Sequence, residues 1–315
     1  MAFYQHATTF AGRPIADVPI GRPLPAVDGP VAWRFSMWDY DGGADYEPFE
    51  PFRVAFDEFV DQAGATVEAL VIGAWGYAAF NDAPIDQLCA AAPRLPRLRA
   101  LFLGDQTSEE CEVSWMRVDD VSPLLTAYPA LHTLRARGGA SLGFSPVRHG
   151  ALRELALESG GLPAETVDAV LRSDLPGLSA LELWLGVENY GGDTTVADLA
   201  PLLAGDVLPA LRHLGLRNAG IADEVAAALA TAPLVPRLET LDLSLGTLGD
   251  DGANALLAGQ PLGHLRRLDL HHHYLSPDVA DRLVAALPGV PVDVSDPQEA
   301  DENDDEEYRY TAVSE

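Results

Sequence analysis

The chain has 315 residues, 48% of them hydrophobic, enough to bury a large core and ordinary for a globular protein. Its 20 basic and 48 acidic residues give a formal charge of −28, which argues against nucleic acid and anionic membranes as partners, because both are gripped by neutralising phosphates with Lys and Arg. Apolar runs break at Pro, Gly or charge well short of the roughly 18 to 20 residues a spanning helix needs.

The start, MAFYQHATTF, lacks the basic and apolar blocks of a signal peptide, and a cytoplasmic location is expected. Two cysteines, Cys89 and Cys111, are too few for a disulfide framework. Val31, Trp33, Phe35 and Met37 alternate as one strand face, and Phe49, Phe52, Phe56 and Phe59 recur at helical spacing. Residues 1–66 therefore read as an N-terminal cap whose aromatics pack.

From Val67 onward the pattern apolar-x-x-Leu-x-apolar recurs: VEALVI, LRALFL, LHTLRA, LRELAL, LSALEL, LRHLGL, LETLDL and LRRLDL, with starts 31, 33, 21, 26, 33, 27 and 27 residues apart. Between these segments lie amphipathic helical stretches such as IADEVAAALA from Ile221 and PDVADRLVAAL from Pro277. In the second, Ser276 before Pro277 predicts a capping hydroxyl ahead of a proline at the first helical position. A strand and helix repeated in this way cannot bury their apolar faces alone. Neighbouring units must stack into a solenoid over residues 67–295, with the strands forming one parallel sheet. The end, 296–315, opens with eight acids and no base between Asp296 and Glu307, and reads as an acidic, disordered tail.

These repeats resemble the leucine-rich-repeat proteins of the ribonuclease-inhibitor-like class, which open L-x-x-L-x-L-x-x-N-x-L and continue into a helix. The resemblance implies an α/β horseshoe with a concave parallel sheet and convex helices. It departs at the ninth position, usually Asn or Cys, which here is Gly139, Gly160, Gly186, Ala219, Gly246 and His273; glycine there predicts a tight left-handed turn. More narrowly, blocks such as LVIGAWG, LFLGD, EECEVSW, LDLSLGTLGD and LDLHHHYLS are similar to a bacterial family of about this length. That likeness makes an enzyme encoded nearby a candidate partner.

Side chains alternate along a strand, so positions four and six point into the core and positions three, five and seven onto the concave surface. The expected concave face carries Arg135, Arg137, Glu158, Glu182, Trp184, His213, Arg217, Asp242, Asp269 and His271. A mixture of Arg, acid and aromatic is what recognition anchors look like; cross-strand ion pairing on a solvated sheet is the bland alternative. The loops after the strands add Trp75, Asp105, Trp115 and Tyr190 as rim candidates. The run His271, His272 and His273 leaves the last clean strand. Alternation keeps its rings from converging on one ion, so no metal or cofactor is expected, and Asp269 is the evident partner of His271.

Searches for G-x-S-x-G, G-x-x-x-x-G-K-[ST], H-E-x-x-H and paired C-x-x-C find nothing. The expected function is a non-enzymatic module that binds a protein or peptide. The alternative is an enzyme or catalytic accessory subunit with a polar cluster near His271.

Overall fold

The computed structural model describes residues 4–39, 49–303 and 306–314. Met1 to Phe3 of the chain start, and Asp304 and Asp305 of the acidic run, lie outside the described residues. The strands are β1 (Thr9–Phe10), β2 (Arg13–Asp17), β3 (Ala32–Met37), β4 (Ala69–Trp75), β5 (Ala100–Leu103), β6 (Thr133–Arg137), β7 (Glu154–Glu158), β8 (Ala180–Gly186), β9 (His213–Ala219), β10 (Thr240–Asp242), β11 (Arg267–Asp269), β12 (Val292–Asp293), β13 (Asp301–Asn303) and β14 (Glu306–Tyr308). The helices are α1 (Glu50–Ala63), α2 (Ile85–Ala91), α3 (Ser122–Ala127), α4 (Ala164–Leu171), α5 (Ala200–Leu203), α6 (Ala222–Leu229), α7 (Asp250–Ala258) and α8 (Pro277–Ala286).

Strands β1 to β12 form one sheet in chain order, parallel throughout except for the β1–β2 hairpin. This is the arrangement that stacked strand–helix units require, because each unit can hydrogen-bond only to its neighbours. Residues 1–66 contribute β2 and β3 to the same sheet. The Phe35 ring meets Phe52 and Phe56 of α1 edge-on, at 5.1 and 5.3 Å between centroids, so the cap's aromatics close the first end of the core.

The core lies between sheet and helices. At position four, Leu134, Leu155, Leu181, Leu214, Leu241 and Leu268 are buried, and at position six Ala136, Leu157, Leu183, Leu216, Leu243 and Leu270 are buried beside them. The facing helices supply Val167, Val170, Val225, Leu229, Leu256 and Leu283. A second, smaller apolar cluster sits on the opposite face of the sheet near its start, where Phe10 covers Ala32, Ala69, Val71, Ala100 and Phe102. Beyond this cluster, the recurring arginines, acids and histidines of that face begin at β6.

Two local expectations are corrected. Ser276 precedes α8 without capping it through its hydroxyl; its backbone N–H instead donates to Asp250 Oδ1 at 2.8 Å, tying α8 to the unit before. The left-handed residue of the later turns falls at the eighth position rather than the ninth: Asn218, Leu245 and His272, with φ of 52°, 69° and 58°. Among the ninth-position glycines Gly186 is left-handed. At Gly246 the reason for glycine is close approach, since a Cβ would lie 2.7 Å from the Ala219 carbonyl oxygen of the neighbouring turn.

The acidic end also differs from a disordered tail. Residues 301–303 and 306–308 pair as the antiparallel ribbon β13–β14, and beyond it Thr311 and Val313 are buried. The acids cluster in and before the ribbon; the closing Tyr310-Thr311-Ala312-Val313 is uncharged and able to pack.

Position-four leucines should dominate stability. Leu214→Ala is expected to cost about 3 kcal/mol, within the range for buried leucine truncations, whereas Arg266→Ala, whose side chain is 77% exposed, should cost under about 0.5 kcal/mol. Urea unfolding followed by circular dichroism checks both values.

Candidate functional site

The register carries side chains of matching position into rows across the sheet. Phe102, Arg135, Ala156, Glu182, Gly215, Asp242 and Asp269 are successive partners at position five. At position seven Arg137 lies beside Glu158, and Trp184 beside Arg217.

Each expected concave residue takes a defined place. Arg137 Nε donates to Glu158 Oε2 at 2.8 Å, Arg135 Nε lies 3.4 Å from Glu158 Oε1, and both guanidinium groups stand over the Phe102 ring. Arg217 bridges Glu182 and Asp242, at 3.3 Å each, with its guanidinium 5.0 Å from the Trp184 ring centroid. His213 Nε2 is 3.2 Å from Glu182 Oε1. His271 Nδ1 is 2.7 Å from Asp269 Oδ1, and Arg267 reaches Asp269 and Asp293 at 2.7 and 3.4 Å. The row is continuous, but it is not uniformly presented. Arg137, Glu158, Trp184, Asp242 and Asp269 are buried within it, because ion pairing and ring stacking remove their charges and faces from water. Arg135, Glu182, His213, Arg217 and His271 remain partly accessible. Between them, where Ala156 and Ala180 are small, a depression of about 340 Å³ opens, bordered by Arg135, Glu154, Glu182 and His213.

Two rim candidates are corrected. Trp75 is 1% exposed and its indole N–H donates to the Asn81 carbonyl at 2.9 Å, so it is core. Asp105 is also buried, accepting from the Ala7 N–H at 3.0 Å and from Arg34 at 3.1 Å, and so clamps the N-terminal segment onto the sheet. Trp115 is 61% exposed and Tyr190 half-buried. Sequence reasoning missed Arg34, Phe102 as the platform for two arginines, and Asp293 beside His271.

The electrostatics follow from the pairing. Although burial works against ionisation, the hydrogen bond from His213 and the charge of Arg217 hold Glu182 at about 2. Asp269 likewise lies at about 2, its burial outweighed by hydrogen bonds from the side chain and backbone of His271. The same bond to Asp269 raises His271 above its ordinary value. Burial pushes Asp242 up despite Arg217, and pushes the Cys111 thiol up to about 12, which leaves it unsuited to thiolate chemistry.

Asp269, His271 and Asp293 each offer a ligand atom within 4.8 Å of the others, a grouping that could hold a metal ion. Arg267 already supplies positive charge to both carboxylates. No helix among the described residues is long and apolar enough to cross a membrane.

Neither a family model nor a curated protein matches the chain. Among solved structures, it is similar to a Bacteroides fragilis protein crystallised as a structural-genomics target, with 32% sequence identity over 84% of this chain and 74% of that one, and a TM-score of 0.73. The two proteins belong to one family. Family membership covers the fold, and the site's chemistry rests on this chain's own residues.

The pairings set a pH dependence. His271 holds its proton more tightly when folded, so its share of stability is complete below about pH 6.5 and is lost as pH rises through the folded value. Glu182 and Asp269 act in the opposite direction, contributing fully above about pH 5 and fading as pH falls towards about 2. Asp269→Asn should return the His271 titration, followed by NMR, towards 6.5; an unchanged titration would contradict the pairing.

Proposed function

We propose that the chain is a leucine-rich-repeat horseshoe of the ribonuclease-inhibitor-like class, acting in the cytoplasm as a non-enzymatic module that binds a protein or peptide on its concave face and adjoining rim. The observation that carries this reading is the ribbon of paired arginines, acids and histidines from Arg135 to His271, with a depression at its centre. Arginines fixed by neighbouring carboxylates lose little side-chain freedom on binding, which favours recognition. The partner would meet Arg135, His213 and Trp115 first, the more accessible of the named residues. A neighbouring enzyme is the partner that the resemblance implies, and the reading needs no cofactor.

A second reading, an enzyme or accessory subunit, has one specific support. His271 is oriented through Nδ1 by the buried Asp269, the arrangement that leaves the other imidazole nitrogen available as a base.

Affinity capture from the producing cells, followed by titration of the identified partner, tests the first reading. Arg135→Glu with His213→Ala should weaken binding by about tenfold or more, which is about 1.4 kcal/mol, without changing the circular dichroism spectrum. Equal affinity of variant and parent would overturn it, and loss of turnover in the captured complex on His271→Gln would favour the second.

A further inference from the structure

Residues 309–314 cross the strand exits of the last units, outside the sheet order, running back from β11 towards β7. Their seat is built from several units at once. Arg309 lies against Gly249, 3.1 Å from Asp223 Oδ2, with its guanidinium 5.8 Å from the Tyr274 ring centroid. The Tyr274 hydroxyl accepts from the Tyr310 N–H at 2.8 Å and donates to the Tyr310 carbonyl at 2.9 Å. The Ala312 N–H donates to the Leu245 carbonyl at 2.8 Å. Asn218 then takes both backbone groups of Val313: its Oδ1 accepts from the Val313 N–H at 3.0 Å, and its Nδ2 donates to the Val313 carbonyl. The Val313 side chain is 1% exposed. Ser314 passes over Gly160, where a Cβ would stand 2.7 Å from its carbonyl oxygen.

This is how an extended peptide is read: backbone hydrogen bonds hold the strand, while separate pockets select side chains four residues apart. The seat is held in shape by the solenoid itself. Its left-handed turns are tied to neighbouring units through Asn218 N–H to Ser244 carbonyl, Leu245 N–H to His271 carbonyl and His272 N–H to Ser295 carbonyl, at 2.9, 2.9 and 3.0 Å. Asn218 is fully buried beneath the segment, and its amide nitrogen also donates to the Ser159 carbonyl at 3.3 Å, so the docked segment completes the hydrogen bonding of a buried side chain. The connection that delivers residues 309–314 carries eight acids between Asp296 and Glu307 in a chain of charge −28. Charge repulsion thus opposes docking of the connection, and the segment is held by its own contacts.

We propose that this rim groove is a binding site for extended peptides of spacing Arg-x-x-x-Val, occupied in the free protein by residues 309–314 and available to a partner's segment of the same spacing when they swing out. The site is separate from the concave face and does not depend on that reading. A tethered segment competes at an effective concentration of order millimolar, so in the wild-type chain the resident wins.

The test uses full-length chains and a fluorescein-labelled peptide of residues 307–314. Arg309→Glu with Val313→Asp should release the resident segment, and the released chain should bind the peptide at least about tenfold more tightly than wild type does. Adding Asn218→Gly, which suits the left-handed backbone but lacks the amide, should abolish that binding. A released chain that keeps the wild-type melting temperature yet binds no peptide, or binds it no better than wild type, overturns the proposal. Hydrogen exchange on the wild-type protein stands independently of folding in the variants. The Ala312 and Val313 amides should exchange at least about tenfold faster than those of Leu243 and Leu245; exchange at one common rate would make the segment part of the core and overturn the proposal.

Discussion

Burial of two leucine columns fixes nearly everything else in this molecule. With Leu134, Leu155, Leu181, Leu214, Leu241 and Leu268 facing the helices, and position six packed beside them, the period of two leaves no choice for the residues between. A one-residue slip in the strands from β6 to β11 would put arginines or carboxylates into the apolar layer. The polar ribbon is thus a consequence of core packing.

The ribbon in turn solves an electrostatic problem. A chain with 48 acids and 20 bases repels itself, and parallel strands bring carboxylates on adjacent units close together. Arg137 with Glu158, and Arg217 between Glu182 and Asp242, neutralise that crowding locally. Phe102 and Trp184 give the guanidinium groups an apolar face to lie on. Toward the C-terminal end Arg267 and His271 share Asp269. The same arrangement that quiets the sheet keeps a few groups, Arg135, His213 and His271 among them, half open to solvent.

The strands from β6 to β11 are legible in the sequence because the leucine pattern is local: each of these units declares its own strand and the inward faces of its residues. The rows follow from repeat position alone, which sets Arg137 beside Glu158 and Trp184 beside Arg217. The depth of each residue is not legible in the same way. Trp75 and Asp105 look like loop residues, yet the first is bound to the Asn81 carbonyl and the second clasps Ala7 and Arg34. The Asp105 contacts join residues about a hundred positions apart or cross three strands, and no periodicity encodes them. The end of the chain is hidden for the same reason. Its acids dominate the composition, while the decisive contact is one buried amide, Asn218, meeting the backbone of Val313.

The coupling energy between Arg217 and Glu182, measured by a double-mutant cycle in urea unfolding, tests the central claim most directly. These residues come from adjacent strands and meet only if the leucine columns hold the stated register. The account predicts a coupling of about 0.5 to 3 kcal/mol, as found for residues in contact. Additivity within about 0.3 kcal/mol would contradict the register and dissolve the ribbon built on it.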